Sequence, residues 1–482
     1  MRRSIAAAVL FSTCLAARVI AQGKPFSRAD SALVGRILLA EDRRDSTDRA
    51  LIEGARNPDT RLQLLARRAI GRMRDARFAA RDSLPPLPPP KTWPEPAWLL
   101  RFRALTSHRQ DCGELRAALA DSAWPVRLRA ADLVDSSCAR DTALANTLRD
   151  WIDGVPADAS ARQRGGASWH AAAHAILGLA KLRPDEARPR AAKLASHSQW
   201  QLRMYAARAL GLLRDTTRLR ALVHDPDDNV KEAAILSLRP ITGHADDSVY
   251  ATALGARGAQ AVRAAAGALE GTPNEELRAE AGRTFERWLA RNNAPARDAR
   301  LVLLAAAGRP TSDDRPPAPR TELPPRAVAL ALGADVRLRV TMAASSGGGS
   351  FVVRLRGDVA PMMAARVLAL VHSHYYDGLT WHRVEPDFVI QGGSPGASEY
   401  IGYPDYFRDE LGTVPHLRGT VGMSTRGHDT GDAQWFVNLR DNPRLGRDYT
   451  VFGEVVDGMN IVDGILEGDT IAKIEELPAR SS

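Results

Sequence analysis

A helical pattern that recurs between about Ser27 and Gly308 constrains the fold of this 482-residue chain more than any other feature. In each copy, alanine follows an aliphatic residue by four positions, and another apolar residue follows by seven or eight. This spacing places all three on one helical face, and the small alanines allow helices to approach closely. The copies are Leu62/Ala66/Ile70, Val126/Ala130/Val134, Leu202/Ala206/Leu210, Val230/Ala234/Leu238, Val262/Ala266/Leu269 and Leu277/Ala281/Phe285.

Turn-like clusters precede several copies. In Asp225–Asn229 and Thr272–Asn274, the Asp and Asn side chains can cap the helix that follows. Neighbouring copies begin at Leu202, Val230 and Val262, an interval of about 30 residues that fits a helix pair with its turns. A single pair cannot bury its apolar face, so the sequence predicts stacked pairs that form an α-solenoid.

The order of residue types within the copies is also informative. Val126–Ala131 and Leu202–Ala207 have an aliphatic residue, a basic residue and then paired alanines. This arrangement resembles HEAT repeats, and the resemblance implies a protein-binding surface. The alternative is a solenoid that only spaces or stabilises the rest of the chain.

Two proline-rich segments divide the chain. Leu84–Ala97 interrupts the helical array, and we expect an inserted loop or an extended spacer there. Arg309–Arg326 is proline-rich and charged, which is typical of a linker between domains. We therefore predict a helical domain over 22–308, a linker over 309–327, a second domain over 328–476 and a short tail over 477–482.

In the last third of the chain, apolar and polar residues alternate over short stretches, which is typical of short strands. Val336–Met342 and Phe351–Leu355 alternate on either side of a glycine-rich turn, which predicts a hairpin. Ala360–His372 and Met459–Leu466 have helical spacing. Further strands are expected around 379–384, 388–391, 419–423, 434–439 and 449–455. Short strands with two helices fit a closed, mainly antiparallel barrel.

Residues Tyr375–Gly393 carry the strongest functional signal and read YYDGLTWHRVEPDFVIQGG. Strand alternation allows Arg383 and Gln391 to point into one site. The strings GTVGM, QWFV and YTVFG follow downstream. In this order the four strings resemble the signature of the cyclophilins, which are peptidyl-prolyl isomerases. The resemblance covers the last third of the chain and implies the cyclophilin barrel and isomerase activity on proline-containing polypeptides.

The resemblance also implies roles for individual residues. Arg383 matches the catalytic arginine, Gln391 matches the residue that orients it and contacts substrate, and His382 is structural support. Rotation of an X–Pro bond needs neither metal nor cofactor, so none is expected. The substrate-binding positions implied by the resemblance are Phe388, Val389, Ser424, Thr425, Gln434, Phe436, Leu445 and Tyr449.

Some positions depart from the family pattern. Ser424 and Thr425 stand where members often have Ala and Asn, so contacts to the peptide backbone are expected to differ. Val389 and Tyr449 replace Met and His but keep an apolar wall. An alternative function therefore stays open, in which the barrel grips proline peptides with weak turnover.

The first 21 residues have the layout of a secretory signal peptide. Two arginines precede an apolar run that is too short to anchor in a bilayer, and small residues lie at Val19 and Ala21. A buried first helix is the alternative. No later apolar run is long enough to span a membrane. We therefore expect an exported protein, either periplasmic or released, and regard a lipid anchor on Cys14 as disfavoured.

Charge and cysteine content limit the remaining possibilities. Removing residues 1–21 takes away three arginines and no acid, so the formal charge falls from +9 to +6. This mild excess does not indicate a nucleic-acid partner.

Cys112 and Cys138 remain as a pair that can form a disulfide in an oxidising compartment, or can stay as buried thiols. His170 and His174 have metal-ligand spacing but lack an accompanying acid, so ordinary helix histidines are expected.

Overall fold

The computed structural model describes residues 26–74, 87–156, 169–317, 319 and 321–478. The predicted signal peptide, the start of the first proline-rich segment and the end of the tail lie outside these ranges. Contacts divide the chain into two compact units, and the boundary lies between residues 76 and 85. The predicted domain bounds stay a prediction, and the second compact unit contains both the helices of 98–306 and the barrel.

The first unit contains three helices, α1 (Arg28–Arg43), α2 (Arg49–Ala55) and α3 (Thr60–Arg74). Its core holds a buried carboxylate: Glu41 lies 3.1 Å from Arg68 Nη2 and 2.7 Å from Arg72 Nη1. Burial would raise the pKa of Glu41, but the two guanidiniums lower it to about 2. Glu41 is therefore ionised and paired, which satisfies its charge inside the helical core.

The second unit begins with helical repeats. Asp141, Asp215, Asp227, Asn274 and Asn293 cap helices by accepting backbone N–H groups, which satisfies donors that a helix start leaves free. The helices are α4 (Trp98–Ser107), α5 (Cys112–Ala118), α6 (Trp124–Leu133), α7 (Thr142–Asp153), α8 (Trp169–Leu182), α9 (Pro184–Leu194), α10 (Trp200–Leu212), α11 (Thr216–Leu222), α12 (Asp228–Thr242), α13 (Asp247–Thr252), α14 (Ala259–Leu269), α15 (Glu275–Leu289) and α16 (Ala294–Ala306).

Helices α6, α8, α10, α12, α14 and α16 pack in a row, which we call the inner row, and the other helices pack along it. The alanine pattern explains this arrangement. Ala130, Ala206, Ala234 and Ala266 are completely buried, so the backbones of the row approach closely at these positions. The predicted helical solenoid is confirmed by this arrangement.

The proline-rich residues 87–97 are extended and pack against the barrel. The backbone N–H of Lys91 donates to Glu454 Oε2 at 2.8 Å, and Trp93 Nε1 donates to Val455 O at 3.0 Å. Gly419 allows the close approach, because a Cβ there would lie 2.6 Å from Trp93 Cδ1. Hydrogen bonds therefore hold this segment to the barrel.

The start of the second proline-rich segment is also bound to the folded chain. Thr311–Asp313 form a short 3₁₀ turn, and Asp314 Oδ1 lies 2.6 Å from Nε of Arg300 on α16. Both side chains of this pair are almost completely buried. Such a pair is costly to break, so Asp314 is fixed to the last helix of the row rather than lying in an open linker.

The barrel is one nine-stranded antiparallel sheet with the strand order β3-β9-β1-β2-β8-β6-β7-β5-β4. The two end strands are consecutive in the chain and only His382 separates them, so the sheet nearly closes on itself. The strands are β1 (Arg337–Met342), β2 (Ser350–Leu355), β3 (Thr380–Trp381), β4 (Arg383–Val384), β5 (Val389–Gly392), β6 (Thr420–Met423), β7 (Trp435–Asn438), β8 (Val451–Asp457) and β9 (Asp469–Glu476).

Three helices accompany the sheet: α17 (Ala327–Ala331), α18 (Pro361–His372) and α19 (Met459–Val462). The predicted hairpin and the predicted helix before the signature stretch are confirmed as β1–β2 and α18. Sequence reasoning missed α17 and β9, and it made α19 too long. Within the described ranges, no helix is long and apolar enough to cross a bilayer.

Candidate active site

Arg383 lies on the short end strand β4, directly opposite Gln391 on β5. Its side chain is 37% exposed, and its Nε lies 3.2 Å from Glu399 Oε1. Its guanidinium carbon lies 5.9 Å from the centre of the Phe388 ring. The arginine therefore keeps a solvent-accessible cation at the edge of an aromatic surface.

The side chain of Gln391, opposite Arg383, is bound to a second glutamine of the barrel. Its amide Nε2 donates to Gln434 Oε1 at 3.1 Å, and Gln434 Nε2 in turn donates to the backbone oxygen of Glu399 at 3.0 Å. Two carboxylates lie beside Arg383 Nε, Glu399 at 3.2 Å and Glu385 at 3.9 Å. Sequence reasoning missed Glu399, because it lies in a loop without periodicity.

A cluster of apolar side chains, which we call the slot, lies next to the arginine. Val389, Phe436 and Leu445 form a buried cluster, against which the half-buried Phe388 and Tyr449 pack. The Phe436 and Tyr449 rings meet edge to face, with centroids 5.6 Å apart. All five were predicted from the resemblance, and the structure brings them together. An apolar slot of this kind can seat a proline ring.

Gly422 on β6 makes room for the floor of the slot. It lies opposite Phe436 in the β6–β7 pair, and a Cβ at this glycine would lie 2.5 Å from Phe436 Cζ. Any side chain here would push the ring out of place. Close packing against Phe436 therefore explains the second glycine of the GTVGM string, Gly422.

A buried histidine supports the slot from beneath. His416 stacks on Phe436 with a centroid distance of 5.7 Å. Its Nδ1 lies 3.2 Å from Asn438 Nδ2, which can only donate, and its Nε2 lies 3.1 Å from Tyr449 O, which can only accept. This geometry requires the neutral ring, and burial lowers the pKa of His416 to about 4. Sequence reasoning missed this residue, although it lies just before GTVGM.

His382 occupies the corner between the two end strands of the sheet. Burial lowers its pKa to about 4, so the ring is neutral at physiological pH. A neutral ring at this corner is compatible with the expected supporting role.

Ser424 and Thr425 follow β6 and are half-buried. The backbone N–H of Ser424 donates to Gln434 O at 2.8 Å. The next residue, Arg426, binds Asp432 of the barrel at 2.7 Å and Asp298 of α16 at 2.6 Å. The predicted substrate-binding loop is thus fixed to the helical repeats by a partly buried ion pair.

The loop before Phe388 is fixed in a similar way. Asp387 accepts hydrogen bonds from Nε and Nη2 of Arg103, on α4, at 3.0 and 2.7 Å. On the other side of the chain, Arg444 places its guanidinium carbon 4.8 Å from the centre of the Phe388 ring. Helix α4 therefore holds one side of the site in place.

The remaining candidate residues lie away from the slot. Cys112 and Cys138 are joined by a disulfide between α5 and the short turn Ser136–Cys138. His174 Nδ1 lies 2.8 Å from Asp132, and His170 contacts the backbone oxygen of Glu467. Among the described residues, no group of three or more His, Cys, Asp or Glu side chains is arranged to hold a metal.

The family model described as "Cyclophilin type peptidyl-prolyl cis-trans isomerase/CLD" matches residues 339–479, and the model "HEAT repeats" matches residues 159–239. The helical repeats are thus HEAT repeats in part of their length, as the sequence pattern predicted.

Curated relatives match the same C-terminal region. Peptidyl-prolyl cis-trans isomerase ppi1 of Schizosaccharomyces pombe is 36% identical over 118 residues, which are 23% of this chain and 76% of the relative. Peptidyl-prolyl cis-trans isomerase B of Bacillus subtilis is 35% identical over 130 residues, which are 26% of this chain and 90% of the relative.

The match to a larger relative is more limited. Peptidyl-prolyl cis-trans isomerase-like 2 of Gibberella zeae is 34% identical over 139 residues, which are 28% of this chain but only 22% of that protein. The chain therefore spans only about a fifth of the length of this relative. Through this C-terminal domain, the chain belongs to the cyclophilin-type peptidyl-prolyl cis-trans isomerase family of enzymes.

Proposed function

We propose that this protein catalyses the cis–trans isomerisation of X–Pro bonds in polypeptides, with Arg383 as the catalytic residue. The observation that carries the proposal is the position of this guanidinium, beside Phe388 at the edge of the slot formed by Val389, Phe436 and Leu445. Cation and slot are adjacent, so one bound proline can contact both.

The reaction explains why these groups are sufficient. The barrier to rotation, about 18–20 kcal/mol, comes from resonance in the amide bond. A donor near the prolyl nitrogen stabilises its lone pair and weakens that resonance, while an apolar seat holds the ring during rotation. Arg383 supplies the donor and the slot supplies the seat. No covalent step and no proton transfer is needed, which suits the neutral state of His382 and His416.

We further propose that the enzyme is exported and assists the folding of exported proteins, with the helical repeats binding protein. The layout of residues 1–21 supports export. The disulfide between Cys112 and Cys138 supports an oxidising compartment. Unassisted X–Pro exchange takes about 10 to 100 s, which is slow enough to limit folding there.

A second candidate function is a proline-peptide binder with weak turnover. Ser424 and Thr425, which depart from the family pattern, favour this alternative. It predicts that proline peptides bind in the slot while their isomerisation stays at the uncatalysed rate.

A protease-coupled assay on a proline tetrapeptide separates the two functions. We expect the wild-type protein to catalyse isomerisation and Arg383→Ala to lose about 10²- to 10³-fold in kcat/KM, as for other electrostatic donors in enzymes. Arg218→Ala removes a 53% exposed arginine that pairs with Asp215 in the helical repeats, and it serves as the matched control with unchanged rate. Uncatalysed rates for the wild type would support the binder.

A further inference from the structure

A cavity of about 690 Å³ lies between the inner helix row and the barrel. Helices α6, α8, α10, α12 and α14 line one wall, and residues 382–386, 397–400 and 466–467 of the barrel line the other. Its volume falls within the range of about 300–1,000 Å³ that is typical of ligand pockets.

The cavity adjoins the candidate active site at Arg383. Arg383 is part of its barrel wall, and the same guanidinium lies 5.9 Å from the centre of the Phe388 ring at the slot. Its partner Glu399 is also part of the wall. A polypeptide seated with its proline in the slot therefore has this cavity directly beside its backbone.

The walls are held together by specific contacts, so the cavity is a built feature rather than a loose gap. Tyr205 OH donates to Glu467 Oε2 at 2.7 Å, and Asn229 Nδ2 donates to the backbone oxygen of Gly396 at 3.1 Å. The guanidinium of Arg263 lies 3.4 Å from the centre of the Tyr400 ring. A pre-formed cavity can bind a ligand without a large entropic cost for ordering its own walls.

The lining has mixed chemistry. Leu236 on α12 is a leucine with 59% of its surface exposed, and Trp200 and Met204 lie in the same wall. Carboxylates and guanidiniums alternate with these apolar groups, for example Glu232 with Arg263 at 3.2 Å. A nucleic acid would need a surplus of cations. Apolar anchors among balanced charges instead fit an unfolded polypeptide with apolar side chains and free backbone groups.

We propose that this cavity binds the segment of an unfolded client that flanks the reacting proline, with apolar client side chains packing on Leu236. The inference rests on the proposed isomerase function and extends it. It makes the helical repeats part of the substrate-binding site, so the enzyme favours long unfolded chains over short peptides.

The test compares two substrates and two matched variants. The substrates are a proline tetrapeptide and a twelve-residue peptide that adds leucine and serine residues on both sides of the same X–Pro bond. Leu236→Glu places a charge in the cavity. Leu212→Glu makes the same exchange at a 52% exposed leucine of α10 that does not line the cavity. Both exchanged side chains are exposed, so both variants should fold.

For the wild type, we expect kcat/KM for the long peptide to exceed that for the tetrapeptide by about tenfold, which corresponds to burying roughly one apolar side chain. Leu236→Glu should lose this advantage and keep its tetrapeptide activity. Leu212→Glu should keep both. Equal values for the two peptides with the wild-type protein, or the same long-peptide advantage in both variants, would overturn the inference.

The outcomes also separate this inference from the proposed function. If the wild type does not accelerate the tetrapeptide, the isomerase function itself fails. If the tetrapeptide is accelerated but the long-peptide advantage does not depend on Leu236, only the role of the cavity fails. As a second readout, a photoreactive phenylalanine analogue in the flank of the long peptide should crosslink to α12. Crosslinks confined to other surfaces would contradict the proposal.

Discussion

His416 makes the slot sensitive to acid, and replacing it with glutamine tests how the slot is supported. The neutral ring stacks on Phe436 and donates to the backbone oxygen of Tyr449. Burial lowers the pKa of His416 from 6.5 to about 4. The unfolded chain therefore takes up this proton at a higher pH than the folded chain, so acid favours unfolding.

The magnitude follows from the two pKa values. A pKa of about 4 instead of 6.5 corresponds to about 3 kcal/mol of stability. This contribution is fully present above pH 6.5, decreases as the pH falls, and is lost below about pH 4. Between pH 7 and pH 5 the wild type should lose about 2 kcal/mol from this residue. His416→Gln has no ionisable group here and should lack that part of the decrease.

Hydrogen–deuterium exchange of β6 and β7, corrected for the intrinsic pH dependence of exchange, measures the opening free energy of the slot between pH 7 and pH 5. Carboxylates also titrate in acid, so the informative quantity is the difference between wild type and variant. His224→Gln is the matched control, because its side chain lies on the surface. Identical pH dependence in the wild type and His416→Gln would refute the reasoning.

Three further predictions concern single features of the second unit. Phe436→Ala removes a ring that is only 4% exposed and forms the floor of the slot. The free energy of unfolding, measured by denaturation, should fall by about 3–5 kcal/mol, and tetrapeptide activity should disappear. Wild-type activity in that variant would exclude the slot. The Cys112–Cys138 bond closes a loop of 26 residues, so reduction should lower the free energy of unfolding by about 3–4 kcal/mol. Two reactive thiols in denatured, unreduced protein would disprove the bond. Glu399→Gln weakens a partly exposed pair with Arg383, so kcat should fall only about two- to fivefold, and an unchanged kcat would remove its positioning role.

The sequence predicted the parts of the fold that depend on local periodicity. The alanine spacing of Val126/Ala130/Val134 and the alternation of Val336–Met342 identify a helix and a strand, because each pattern reports a buried face. The strand β9, Asp469–Glu476, was missed. The buried residues Ile471 and Ile474 do not alternate regularly, because the β1–β9 pairing has a register shift near Met342. The polar residues Lys473 and Glu475 lie beside them and weaken the apolar pattern further.

The resemblance reaches the residues of the slot but not the groups around them. Val389, Phe436 and Leu445 could be found because the resemblance carries them over position by position. Glu399 could not, since it reaches Arg383 only through the folding of a loop. The contact of the helical repeats with the site, through Asp298 and Arg426, depends on residues 128 positions apart in the chain, and no local pattern reports it.

The most direct test of the central claim is the rate of X–Pro exchange in a proline peptide at equilibrium, measured by magnetisation-exchange NMR with a catalytic amount of protein. No protease is present, so binding and turnover are observed in the same sample. We predict that the wild type raises the exchange rate well above the uncatalysed value. Arg383→Ala should not raise the rate, but it should still shift the peptide resonances when it is added in an amount comparable to the peptide. Equal acceleration by the wild type and Arg383→Ala would contradict the assignment of this guanidinium as the catalytic group.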